Sequence, residues 1–160
     1  MIINIRGTFG SGKTYAVRQL LRNVGDYQVS LDGRVVAHCG FLDGLQPVYV
    51  LGNYSGAECG GCDTIKTQDM VCSLVRHFSA LGHVVFESVV IGTVYSRYAA
   101  LARELYEPYV WAYLDTPLDV CLARVQARRN KRGDSRPFDP ATTESKFHAT
   151  KATFDKAKAA

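Results

Sequence analysis

Apolar residues in this chain fall into short blocks bounded by turn formers, alternating with longer stretches in which they return every three or four positions. The short blocks at residues 1–6 (MIINIR), 48–51 (VYVL), 82–87 (GHVVFE) and 109–114 (YVWAYL) predict strands, the first of them buried and parallel. Residues 27–30 and 35–38 flank an Asp32-Gly33 turn, a favoured hairpin signal. The strand at 48–51, with Pro47 before it and Gly52 after, is either the second strand of the main sheet or the third member of an antiparallel meander. Helical spacing occupies 14–23, with Val17, Leu20 and Leu21 on one face, and 67–81. It continues at 93–105, which buries Val94, Tyr98 and Leu101 and exposes Arg97 and Arg103, and at 118–129. A last helix in 140–160 offers Phe147 and Phe154 for packing. No apolar strand follows Phe154, so either the fold is minimal or the natural chain runs past Ala160.

One stretch gives this alternation a chemical centre. Residues 7–14 read Gly7-Thr8-Phe9-Gly10-Ser11-Gly12-Lys13-Thr14, the spacing of a phosphate-cradling Walker A loop, and a strand enters it while a helix leaves it. Glycines let the backbone N–H groups turn inward around phosphates, and the helix N-terminus favours their charge. Lys13 is then expected on the β- and γ-phosphates and the Thr14 hydroxyl on Mg²⁺, with residues 7–14 as the ATP-binding loop. The fold class expected is α/β: a three-layer P-loop NTPase/kinase fold with a mostly parallel central sheet, a small hairpin insertion and a basic lid.

The apolar strand at 82–87 ends in Glu87, placed like a Walker B acid to support the metal or contact the acceptor; a solvated strand-end acid is the plainer reading. Residues 52–66 (GNYSGAECGGCDTIK) combine four glycines with Glu58 and Asp63 ahead of a helix. Asp63 is the candidate general base for an acceptor hydroxyl, or else a helix cap. Cys59 and Cys62 form a CxxC, but zinc needs two more ligands and only His38-Cys39 offers any, as adjacent residues that rarely aim at one metal. Glycine-rich loop packing is therefore the default. Tyr95 and Arg97, at the start of the 93–105 helix, are further candidate substrate contacts.

Composition narrows the picture. With 160 residues, nearly half of them apolar, the chain suits one domain, residues 1–160. No run of about eighteen apolar residues points to a membrane span, and the opening residues do not resemble a secretory signal, so a cytoplasmic protein is expected. Five cysteines, an odd number, read as reduced thiols. Of the formal net charge of +4, the informative part is the cluster Arg124, Arg128, Arg129, Lys131, Arg132 and Arg136, which asks for an anionic partner. Arg124 and Arg128 share a helix face, and residues 130–137 (NKRGDSRP) break that helix into a polar basic loop. The reading is a lid over about residues 128–137, with Arg128 and Arg132 stabilising transferring phosphate, Arg124 and Arg128 at the nucleotide, and Arg129 and Arg136 as weaker candidates.

Through GTFGSGKT, HVVFES and LDTPLDVCLARVQARRNKRGDSRP, which are spread from residue 7 to residue 137, the sequence resembles the small P-loop kinases, the superfamily of nucleoside and nucleotide kinases and of phage polynucleotide kinase. With GNYSGAECGGCDTIKT added, it resembles kinases encoded by tailed bacteriophages, among them enzymes that phosphorylate 5-hydroxymethyluracil in DNA. Two familiar signatures are missing: Glu87-Ser88-Val89 stands in place of the Glu-Arg-Ser run of nucleoside kinases, and there is no Asp-Gly-Phe-Pro-Arg run of adenylate-type kinases. The resemblance implies an ATP- and Mg²⁺-dependent phosphotransferase acting on a nucleotide or DNA acceptor, in the host cytoplasm if phage-encoded. A nucleoside or nucleoside monophosphate kinase, and an NTP-hydrolysing switch or binding module, stand as rivals.

Overall fold

The computed structural model describes residues 1–43, 45–56 and 60–160. Among these residues, six strands form one mixed sheet in the order β2-β3-β4-β5-β1-β6. They are β1 (Ile2–Arg6), β2 (Tyr27–Leu31), β3 (Arg34–Leu42), β4 (Gln46–Leu51), β5 (His83–Glu87) and β6 (Tyr109–Tyr113). Strands β4, β5, β1 and β6 run parallel, whereas β2 and β3 join them antiparallel. The two readings of the VYVL strand thus merge, because β4 closes the meander through β3 and opens the parallel part through β5. The hairpin strands extend beyond the expected 27–30 and 35–38, and a bulge between Val29 and Ser30 shifts their register.

The alternation of side chains along β1 and β5 explains two buried clusters. On one face Ile3, Ile5, Val48, Val50 and Val85 meet Val17 and Leu21 of helix α1 (Lys13–Val24). On the other, Ile2, Val84 and Phe86 meet Val71, Val75 and Phe78 of α2 (Gln68–Ser79), with Tyr98 and Leu101 of α4 (Ser96–Leu105). Those of them that are fully buried, which excludes the half-buried Ile3 and Ile5, contribute about 1.5–3 kcal/mol each relative to exposure.

Three local features depart from the sequence pattern. The expected 93–105 helix is α4 alone; a four-residue helix α3 (Val89–Gly92) precedes it, capped by Ser88, whose Oγ accepts from the Ile91 N–H. The joint between them is held by Arg6, which an apolar-strand reading of residues 1–6 leaves unexplained. Its guanidinium is fully buried, donates to the Gly92 and Val94 carbonyls at 3.3 and 2.9 Å, and lies 4.2 Å over the Trp111 ring. Burial lowers its pKa to about 10. In the last helix, α6 (Ala141–Ala159), the fully inward residues are Thr143, Thr150 and Thr153, with Phe154 only partly buried and stacked on Tyr113. Thr153 Oγ1 donates to Gly92 O at 2.6 Å, and Thr150 Oγ1 donates to its own helix at Lys146 O, so these hydroxyls enter the interior already paired. Among the described residues no helix is long and apolar enough to cross a membrane.

Candidate active site

The loop after β1 turns through Gly7, Gly10 and Gly12 at positive φ and hands the chain to α1. Gly10 has no room for a side chain, since a Cβ there would stand 2.4 Å from the Cys121 carbonyl of α5 (Leu118–Lys131). The loop is fastened from outside as well. Thr116 Oγ1 donates to Ser11 O at 2.9 Å, and Thr8 Oγ1 donates to Thr143 O at the start of α6 at 3.0 Å. The Asp-Thr-Pro turn and the last helix therefore brace the loop, a role that no local motif announces.

Lys13 is 6% exposed, and its ammonium donates to the Gly7 and Thr8 carbonyls at 2.9 Å each. Burial pushes its pKa down, opposed by the charges of Glu87 and Asp63. Thr14 Oγ1 donates to Glu87 Oε1 at 2.8 Å. Glu87, 2% exposed, is held above the usual carboxylate range by burial, against the pull of Lys13 and the Thr14 hydrogen bond. It is thus a buried acid beside the loop, not a solvated strand end.

Asp63 sits in a short 3₁₀ turn, Gly61–Thr64, and does not cap α2. That cap is Thr67, whose hydroxyl accepts from the Met70 N–H at 3.1 Å. Asp63 instead accepts a hydrogen bond of 2.7 Å from Ser88 Oγ, so the residue that caps α3 also orients this carboxylate. The turn is pressed against β5. Gly61 has φ +77°, and a Cβ on it would lie 2.7 Å from both the backbone oxygen and Oε1 of Glu87. Gly61→Ala is accordingly expected to cost about 2–3 kcal/mol and to lower Tm by roughly 5–10 °C, measured by thermal melting.

Glu58 and Cys59 lie outside the described residues, so the CxxC is described only at Cys62. Cys62 is a core residue whose thiol is pushed well up by burial. His38 is already committed: Nε2 accepts from the Tyr54 N–H at 2.9 Å, which puts the ring proton on Nδ1, toward Asp26. Among the described residues, no three Cys, His, Asp or Glu side chains gather as a metal cluster.

An open cavity of about 410 Å³ brings together Lys13, Thr14, Asp63, Glu87, Arg124 and Arg128. Arg124 also donates to Gly10 O at 3.2 Å. The rest of the basic cluster divides differently. Arg132 stands at the C-terminal end of α5 and is not among the residues lining this cavity. Arg129 and Arg136 both pair with Asp134, and Arg129 also donates to Arg136 O at 2.8 Å, which fastens the 132–137 loop to its helix. Arg97 is turned away as well, paired with Asp69 across α2 and α4, while Tyr95 packs on Trp111. The two expected substrate contacts are thus structural neighbours of the fold.

A glycine loop with a buried lysine, a hydroxyl bonded to a strand-end acid and arginines above them define a nucleotide-dependent phosphotransferase. No protein-family model matches the chain. A chain of the solved Pnkp1/Rnl/Hen1 RNA repair complex superposes with a TM-score of 0.58 at 14% identity, over 97% of this chain and 45% of that one, a likeness of fold. In sequence, the 5-hmdU DNA kinase of Pseudomonas phage PaMx11 is 37% identical over 99% of this chain and 86% of its own length. The enzymes of the same name from Pseudomonas phage M6 and Delftia phage PhiW-14 are 35% and 31% identical, over 79% and 98% of this chain and 71% and 63% of their own lengths. The chain belongs to this family of phage 5-hmdU DNA kinases.

Proposed function

We propose that the protein transfers the γ-phosphate of ATP to the exocyclic hydroxyl of 5-hydroxymethyluracil in phage DNA. The observation that carries this reading is the single cavity in which the loop lysine faces a serine-held carboxylate. The loop suits a polyphosphate: Ser11 Oγ is buried with no hydrogen-bond partner among the described residues, and the lysine beside it is anchored by carbonyls of the same loop. Phe9 and Arg128 also line an adjoining cleft of about 380 Å³ with Phe138, a place for the donor base.

When bound, Mg·ATP supplies the phosphoryl group and the divalent charge that withdraws electron density from it. Lys13 and the loop N–H groups hold the phosphates, while Arg124 and Arg128 offset the charge that spreads over the transferring group. Asp63, fixed by Ser88, accepts the proton of the acceptor hydroxyl as its oxygen bonds to phosphorus. The bond to the bridging oxygen breaks, and ADP leaves with that electron pair. Thr14 and Glu87 would hold the metal. Glu87→Gln is expected to raise the Mg²⁺ needed for half-maximal rate by about tenfold or more, read from a magnesium titration. Because burial raises the Glu87 carboxyl, its ionisation occurs at higher pH than in an exposed glutamate, so metal-dependent activity falls on mild acidification.

The reading is tested by offering γ-labelled ATP with DNA containing 5-hydroxymethyluracil, with matched thymine DNA, and with free nucleosides and nucleotides. Label on the modified DNA alone is expected. Label on free nucleotides would return the protein to metabolite kinases, and free phosphate with every acceptor unlabelled would make it a hydrolysing switch.

A further inference from the structure

A smaller cavity, of about 180 Å³, opens on the other side of Asp63, which alone among the described residues lines both it and the 410 Å³ cavity. Its walls are mixed, apolar from Ile65, Val71, Val90 and Ile91 and polar from Lys66, Thr67, Gln68 and Ser88 beside Asp63 itself. This volume is below the roughly 300–1,000 Å³ of pockets that enclose drug-sized ligands, so it suits a single ring rather than a nucleoside triphosphate. Two features point to a ligand. Gln68 Oε1 is buried and has no hydrogen-bond partner among the described residues, an arrangement that is costly unless something else donates to it. Val90 is an apolar side chain left 49% exposed on the cavity wall, a surface on which a flat ring gains contact.

We propose that this cavity takes the pyrimidine ring of the acceptor, turned out of the DNA stack, and that Gln68 reads its edge. The inference rests on the acceptor reading above and adds the subsite and its recognition. Uracil presents an N3–H donor beside the C4 carbonyl acceptor, and a glutamine amide answers both, its oxygen accepting from N3–H and its NH₂ donating to O4. The 5-substituent occupies the next corner of the ring after C4. A base seated with its imide edge on Gln68 and its C5 corner toward Asp63 presents the hydroxymethyl group at the wall that Asp63 shares with the donor cavity. Cytosine presents the reverse pattern, an N3 acceptor beside an amino donor. Lys66, exposed at the same cavity, is placed for a phosphate of the flanking strand.

The test uses the full chain, labelled ATP and two oligonucleotides that differ at one position, 5-hydroxymethyluracil or 5-hydroxymethylcytosine. Gln68→Glu offers acceptors only. It is expected to lower kcat/KM on the uracil substrate by about tenfold or more, chiefly through KM, and to shift selectivity toward the cytosine substrate by a similar factor, with KM for ATP unchanged. Val90→Trp, which fills the cavity from an exposed position, is expected to abolish labelling of both DNAs at unchanged Tm and ATP affinity. If Gln68→Glu lowers Tm, the Val90 variant decides. Unchanged selectivity in Gln68→Glu together with full labelling by Val90→Trp would overturn the base pocket and leave the kinase reading intact. Failure of the unsubstituted chain to label either DNA would instead remove the acceptor reading, and this inference with it.

Discussion

Lys13→Ala is expected to lower the rate of phosphate transfer by about two to three orders of magnitude, measured as label transferred per unit time at saturating DNA. The ammonium is buried at the foot of the cavity and tied to the Gly7 and Thr8 carbonyls, so it is fixed before any phosphate arrives. A buried charge fixed in place acts without the reorganisation that a flexible surface lysine would need. Burial works against the charged form here, while Glu87 and Asp63 nearby favour it. Alanine removes the charge and both hydrogen bonds at once. Near-normal transfer in this variant would remove the donor site from the account.

Asp63→Asn is expected to reduce kcat by about two orders of magnitude or more while leaving KM for ATP little changed. The amide keeps an oxygen that can still accept from Ser88 Oγ, so the turn stays in place and the loss falls on proton transfer. An effect confined to KM, or a loss matched by a lower Tm, would make Asp63 a binding or structural residue. Together the two variants would separate the proposed halves of the cavity, the donor side at Lys13 and the acceptor side at Asp63.

Much of this site was legible in the sequence, because a phosphate loop must be local. Residues 7–14 need a strand, a tight glycine turn and a helix N-terminus in succession, and β1 and α1 supply them. Glu87 was legible for a related reason, since a buried strand that ends in an acid places that acid at the sheet's carboxyl edge, next to β1. What depends on distant pairing was not. Ser88 and Asp63 are 25 positions apart, and Thr8 and Thr143 are 135 apart, so no spacing relates them. The arginine cluster shows the same limit from the other side. Its composition announces an anion, yet only Arg124 and Arg128 line the cavity, while Asp134 in the following loop takes up Arg129 and Arg136. Nor did the pattern announce Arg6, whose burial in a strand becomes intelligible only when the Gly92 and Val94 carbonyls and the Trp111 ring are seen around it.

The most direct test is to find where the phosphate is placed. Modified DNA is incubated with the protein and labelled ATP, digested with nuclease to mononucleotides without any phosphatase, and the labelled species is identified by mass and fragmentation. The account requires the phosphate as an ester on the exocyclic hydroxymethyl oxygen of the uracil base. Phosphate on a 5′-terminal sugar hydroxyl, with the base unaltered, would contradict it and make the protein an end-directed polynucleotide kinase.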